Sequence, residues 1–224
     1  MEPDLSSLLR PARPRLADHV YDSLRRFIIE GKVPPGARLI EQDLCAVLNV
    51  SRTPLREGLR RLEQDGLIER HDGLGLRVTE LTRQEAEEII GIRSVLEGYA
   101  GRLAAARITQ DELEAIRRAH GDAGVALEGG DVEALIEANT RFHDGINGAS
   151  HSPRCVSISN GIRDWVMRYR LRTLSEQSAR EASYRQHGEI LEALASRDPI
   201  LVEQLIRDHI IDSGRRMLAT AADG

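Results

Sequence analysis

Aromatic side chains are scarce in this 224-residue chain: two Phe, four Tyr and one Trp make up 3% of it. Leu, Ile, Val and Ala must therefore fill the core, which suits a bundle of helices. Lysine is all but missing, with Lys32 alone among 31 basic residues. Arginine is the better bidentate partner for phosphate, carboxylate and guanine edges, although so broad a bias reads first as the imprint of a GC-rich genome. Two cysteines, Cys45 and Cys155, are too few for a disulfide-stapled secreted scaffold. No run approaches 18 apolar residues, so no membrane-spanning helix is expected. The opening MEPDLSSLLRPARPRL carries two early acids and lacks an apolar core of signal-peptide length. A cytoplasmic protein with no membrane partner is the expectation. Low-complexity tracts and internal repeats are absent as well.

What is present is an ordinary globular balance of 41% hydrophobic and 30% charged residues, long enough for one large domain or two small ones. The net charge of −5 is unevenly spread. Residues 1–78 hold 13 basic and 12 acidic side chains (+1), and residues 79–224 hold 18 and 24 (−6). An acidic whole argues against nonspecific coating of nucleic acid, while a local basic face on the first segment remains open.

The punctuation divides the chain in three. Residues 1–14, with Pro11 and Pro14, read as a mobile Arg-rich arm. Over 15–79 the period is first helical and then strand-like. Leu16, Val20, Leu24, Phe27 and Ile28 mark one buried helix face, and Gly31 with Pro34-Pro35-Gly36 ends it. A short helix over Glu41–Leu48 turns Leu44, Val47 and Leu48 inward. Asn49 suits a left-handed turn, and Ser51 is placed to cap a third helix that runs to about Asp65, with Leu55, Leu59 and Leu62 inward. Two short strands around Leu67-Ile68 and Leu76–Val78 flank the Asp72-Gly73 turn. Three helices and a hairpin make a winged helix-turn-helix. Residues 80–220 read as all-helical, with six helices near 82–106, 110–128, 131–149, 155–174, 178–196 and 199–219. Thr82–Glu85 and Thr109–Glu112 match the capping box. Asp131 and Asp198-Pro199 are further helix starts. The fold class is mainly α: an N-terminal winged helix-turn-helix plus a C-terminal all-α six-helix bundle.

Pro35-Gly36, Arg38-Leu39, the run Ser51-Arg52-Thr53-Pro54-Leu55-Arg56-Glu57 and Leu62 through Gly66-Leu67-Ile68 together resemble the DNA-binding domain of the GntR family of bacterial transcription regulators. The helical remainder, with Phe142-His143, His187 and His209, is similar to the FCD-type effector domain of its FadR subfamily, and six helices point to the shorter VanR-like branch. The major groove admits one helix, whose N-terminal side chains reach base edges. Arg52 is the candidate for bidentate guanine contact. Ser51, Thr53 and Arg56 are candidates for phosphates or edge bases, Arg38 for the backbone, and Gly73 lets the wing tip approach the minor groove. The plainer alternative pairs Arg56 and Arg60 with Glu57 or Glu63 on a solvated face. In the family's best-known member an arginine opens the second helix and touches DNA. Here Gln42 takes that place, between Glu41 and Asp43, so one charge-assisted contact is replaced by a neutral one.

Asn139 and His143 share a helix face. His187 and His209 are equidistant from Asp198-Pro199, so in an antiparallel hairpin they stand at equal height, about 16 Å from the corner. Three imidazoles with an oxygen make a divalent-metal site with open positions, zinc first and nickel or manganese as alternatives. Relatives place an aspartate at the Asn139 position, so the resemblance implies Asn139, His143, His187 and His209 as ligands. Arg93 stands in an apolar helix where the resemblance implies an effector-carboxylate contact. An ion pair with Glu97, four residues on, is the competing reading. Arg163 and Arg168 are weaker candidates.

Together these imply a ligand-responsive homodimeric transcription factor, a repressor by the family's habit, acting on a short palindromic operator in double-stranded DNA and on an operon for a small organic acid. Its effector would be a small carboxylate. One rival is a metal sensor whose effector is the ion itself. The other is a metal-dependent enzyme, disfavoured because no acid is spaced as a general base and because a hydrolase has no use for a winged helix.

Overall fold

A computed structural model describes residues 16–71, 73, 75–80, 82–173 and 176–220. The arm expected over residues 1–14 lies outside them. The chain divides after Glu80 into two compact units.

The first unit runs α1 (Leu16–Ile29), β1 (Arg38–Leu39), α2 (Glu41–Leu48), α3 (Arg52–Gln64), β2 (Ile68–His71) and β3 (Gly75–Val78). The strands form an antiparallel sheet in the order β1-β3-β2, with Ile68 opposite Val78 and Arg38 opposite Arg77. Val20, Leu24 and Ile28 of α1 meet Leu55, Leu59 and Leu62 of α3, and Leu67, Ile68, Leu76 and Val78 close the core from the sheet. Gly58 permits the close helix crossing, since a Cβ there would stand 2.7 Å from the Val20 side chain.

Three details depart from the pattern read in the sequence. Leu16 and Phe27 are exposed because the stripe facing α3 is Ala17–Val20–Leu24–Ile28; Phe27 lies one step round, under the Lys32 ammonium at 5.1 Å. Val47, expected inward, is 81% exposed. A two-turn helix has one narrow inward side, which the half-buried Leu44 and Leu48 already occupy. The sheet also has a third strand, β1, only two residues long and therefore without a period to read.

The second unit is α4 (Arg83–Arg107), α5 (Gln110–Gly129), α6 (Val132–Ala149), α7 (Pro153–Thr173), α8 (Gln177–Ala195) and α9 (Pro199–Thr220). Both capping boxes form, with Thr82 and Thr109 accepting from the backbone N–H of Glu85 and Glu112. Asp131 accepts from the Ala134 N–H, and Asp198 from those of Ile200 and Leu201. Each such cap is worth about 1 kcal/mol. Helices α4 and α9 approach closely where glycines face side chains: a Cβ on Gly214 would lie 2.5 Å from Ile90. Ile116, Phe142, Ile146, Ile190, Leu194, Ile206 and Ile210 fill the centre, as the scarcity of aromatics requires. Among the described residues no helix is long and apolar enough to cross a membrane.

Candidate functional site

The first unit offers an exposed helix end. Ser51 holds the N-cap position of α3 in extended backbone, yet its hydroxyl makes no capping hydrogen bond. Ser51, Arg52, Thr53 and Arg56 are all exposed at the N-terminal end of α3, which buries Leu55, Leu59 and Leu62. Gln42 is exposed on α2, and Arg38 on β1. Arg56 Nε donates to Glu41 Oε2 at 2.9 Å, so its partner is on the preceding helix, not at Glu57 or Glu63. Arg61 belongs to the framework, bonded to Asp18 at 2.6 Å and stacked 4.1 Å from the Tyr21 ring. At the tip between β2 and β3, Gly73 has φ +78°, and nothing lies within 4 Å of where its Cβ would be. Only glycine adopts that backbone without strain.

The second unit buries its polar residues. Asn139 and His143 stand one turn apart on α6, His187 on α8 and His209 on α9, and all four are buried. One ring nitrogen from each histidine lies within 4.8 Å of the others. Across the α8–α9 hairpin the Nε2 atoms of His187 and His209 are 3.2 Å apart. His187 stacks on Phe142 at 4.2 Å, which fixes its plane.

Behind these rings stand groups that orient them. His143 Nδ1 faces Glu97 Oε2 at 3.1 Å, and Arg93 Nε donates to Glu97 Oε1 at 2.5 Å. His209 Nδ1 faces Gln186 Oε1 at 3.0 Å; that oxygen also accepts from Arg216, and the Gln186 amide donates to Asp212. With protons on both Nδ1 atoms, the Nε2 lone pairs of His143 and His209 are left for the cluster. Burial alone would raise the Glu97 carboxyl. The Arg93 guanidinium and the His143 contact outweigh it and hold the group well below the usual carboxylate range.

The residues present fit a metal ion. Asn139 Oδ1 is buried and has no hydrogen-bond partner, a condition that costs about 1–3 kcal/mol unless something occupies it. The His187–His209 nitrogen separation demands a shared proton or a cation, since two lone pairs at that range repel. Nitrogen ligands about 2.0–2.1 Å from a tetrahedral ion stand roughly 3.3 Å apart. Beside Asn139 and His187 is a small cavity of about 10 Å³, bordered by Arg180, Ser183 and Tyr184. That is room for about one water molecule.

Arg93 forms the ion pair with Glu97 that was its competing reading, and both are largely buried. The cluster also has an acid beside it, Glu97, which the sequence reading did not connect to the histidines. The Arg93–Glu97 spacing was visible, but Glu97 reaches His143 only through the packing of α4 on α6. Gln186 was missed for the same reason, since it neighbours His187 in sequence yet serves His209. The side chains of Arg163 and Arg168 lie outside the described residues.

Known proteins match along both units. The family described as bacterial regulatory proteins, gntR family, matches residues 16–78, and the FCD domain matches residues 88–212. The probable D-xylose utilization operon transcriptional repressor of Paenarthrobacter nicotinovorans is 32% identical over 201 residues, covering 90% of this chain and 88% of that protein. A putative transcriptional regulator GntR from Rhodococcus sp. RHA1 superposes with a TM-score of 0.77 at 26% identity, covering 91% and 97% of the two chains. Escherichia coli McbR/YncC superposes with a TM-score of 0.76 at 25% identity, covering 92% and 98%.

Proposed function

The chain belongs to the GntR family of bacterial transcription regulators, with an FCD domain, and from that premise we propose that it is a dimeric, cytoplasmic repressor of an operon for a small organic acid, released from its operator when that acid binds at a metal in the helical unit. Members of this family are regulators and not enzymes, binding DNA through the first unit and small-molecule effectors through the FCD domain. The observation that carries the reading is the buried group of three imidazoles with the unpartnered Asn139 oxygen beside it.

On the DNA side, Arg52 enters the major groove and takes a guanine edge, with Ser51, Thr53 and Arg56 on phosphates or edge bases, Gln42 and Arg38 on the backbone, and the Gly73 turn at the minor groove. One winged helix buries too little DNA for tight specific binding. A two-fold pair on a short palindrome doubles the contact. Ile92, Val95 and Tyr99 support pairing between two copies: they form an exposed apolar stripe at helical spacing along α4, while α4 buries Ala100, Ala104 and Ala105 on its other side.

In the helical unit, His143, His187 and His209 with the Asn139 carbonyl oxygen would hold a divalent ion, zinc first and nickel or manganese as alternatives. Such an ion would supply a positive centre for an anion. All four donors are neutral, so no ligand carboxylate competes with an effector carboxylate for it. Arg93 is the second arm, and an acid that reaches it must draw the guanidinium from Glu97. A coupling of ~1–3 kcal/mol between effector and DNA would weaken operator binding roughly 5- to 150-fold.

The test is operator affinity of the full chain, measured by fluorescence anisotropy with metal fixed, against a panel of two- to six-carbon hydroxy and sugar acids. At least one acid should weaken binding within that range, and Arg93→Ala should blunt its effect. If no acid acts while metal alone shifts affinity, the ion itself is the effector and this reading is overturned.

A further inference from the structure

The histidine cluster has an anion, but that anion is not among its ligands. Three imidazoles and a carboxamide bring no charge, and a divalent ion among them would stand in a core filled by Ile, Leu and Phe. An uncompensated charge in such surroundings is costly. The buried carboxylate that the structure places against one of these rings is Glu97, on α4, whose Oε2 lies 3.1 Å from His143 Nδ1 on α6.

We propose that Glu97 is the positioning residue of this metal site: it fixes His143 as the Nδ1–H tautomer, aims its Nε2 at the ion, and supplies from behind the ring the negative charge that Asn139 does not supply at the front. The proposal rests on the metal reading given above. Three features of the site carry it. Both carboxylate oxygens are engaged, Oε1 by Arg93 Nε and Oε2 by His143 with a longer contact from Arg93 Nη2, so the group is locked in one orientation. Glu97 and His143 come from different helices, so tertiary packing and not local chain geometry sets the tautomer. His209 provides an internal contrast, since its Nδ1 faces the neutral Gln186 oxygen. An uncharged acceptor therefore suffices to orient an imidazole. A carboxylate adds charge, making the imidazole a stronger donor to a cation. Arg93 opposes that effect only in part, because its short bond is to Oε1 at 2.5 Å, whereas its Nη2 reaches the oxygen facing His143 only at 3.5 Å.

The experiment measures zinc affinity of the full chain by competition with a chromophoric chelator at fixed pH. Glu97→Gln preserves size and retains an acceptor for Nδ1 while removing the charge. Zinc should bind it about 10- to 100-fold more weakly than wild type, with an unchanged circular dichroism spectrum. Asn139→Asp added to Glu97→Gln should restore most of the loss, because it returns a negative charge to the site; a merely structural defect would not be rescued there. Long-range proton–nitrogen correlation spectra of the metal-free wild type supply a readout that needs no variant. They should show His143 protonated at Nδ1, and protonation at Nε2 would overturn the assignment. If wild type binds zinc and Glu97→Gln binds it equally, the role of Glu97 is refuted while the metal site stands. If wild type itself binds no zinc, the metal reading falls first.

Discussion

The two units keep their candidate functional side chains in opposite places. In the winged unit Ser51, Arg52, Thr53 and Arg56 stand in solvent at the N-terminal end of a helix that buries Leu55, Leu59 and Leu62. In the helical unit Asn139, His143, His187 and His209 are part of the core itself. A surface side chain can be exchanged at little cost to stability, because water satisfies whatever is left. A buried polar side chain must be satisfied atom by atom, which is why Glu97, Gln186, Asp212 and Arg216 stand behind the histidines. The first arrangement leaves a surface to be read by a partner. The second suits a small ligand, whose arrival would change the energy of the core, as the proposed sensor requires.

The largest effect should come from the buried side. His187→Ala/His209→Ala removes two of three imidazoles, and zinc retention, measured by elemental analysis of chelator-free protein, should fall by on the order of 10² or more. Stability should follow the metal. Zinc at 100 times its Kd should raise wild-type stability by about 2.7 kcal/mol, and it should leave the double variant unmoved in thermal unfolding. A double variant that holds as much metal as wild type would break the comparison at its buried end.

Next is the exposed side. Arg52→Ala should cost about 1–3 kcal/mol of operator binding through the lost guanine contact, some 5- to 150-fold, with thermal stability changed by less than about 0.5 kcal/mol. Affinity and melting temperature thus move separately here, whereas metal binding and melting temperature move together in the helical unit. Wild-type operator affinity in a gel shift of Arg52→Ala would remove Arg52 from the reading face.

How much of this was legible beforehand follows the same division. Helices announced by caps, such as those starting after Thr82, Thr109, Asp131 and Asp198, were readable because capping is local chemistry between residues three apart. The meeting of His187 and His209 was readable because a hairpin turn makes sequence distance a measure of height. Glu97 and Gln186 were not readable as partners of His143 and His209. Their contacts depend on how α4 lies on α6 and how α8 rotates against α9, and no period in a single helix records that. Val47 and Phe27 failed for a related reason: an apolar residue at the edge of a stripe is inward or outward according to its neighbour, not its own chemistry.

The smallest effect sharpens the exposed side and has the opposite sign. Arg56 pairs with Glu41 at 2.9 Å, with side-chain exposures of 65% and 26%. Such a pair contributes only ~0.2–1 kcal/mol to folding. If Arg56 contacts phosphate as proposed, two consequences of Glu41 point the same way. It would hold Arg56 away from DNA, and it would add negative charge close to a polyanion. Glu41→Gln removes both while retaining an acceptor for the guanidinium. Operator affinity should rise by up to about fivefold at low salt, the equivalent of 1 kcal/mol. Random DNA should gain equally, because phosphates carry no sequence. The gain should fade as salt screens exposed charge, and thermal stability should change by less than about 1 kcal/mol. Fluorescence anisotropy at two salt concentrations on two duplexes measures all of this. Weaker binding by Glu41→Gln would reverse the assignment, making Glu41 the residue that aims Arg56 at its contact and Arg56 a second base reader beside Arg52.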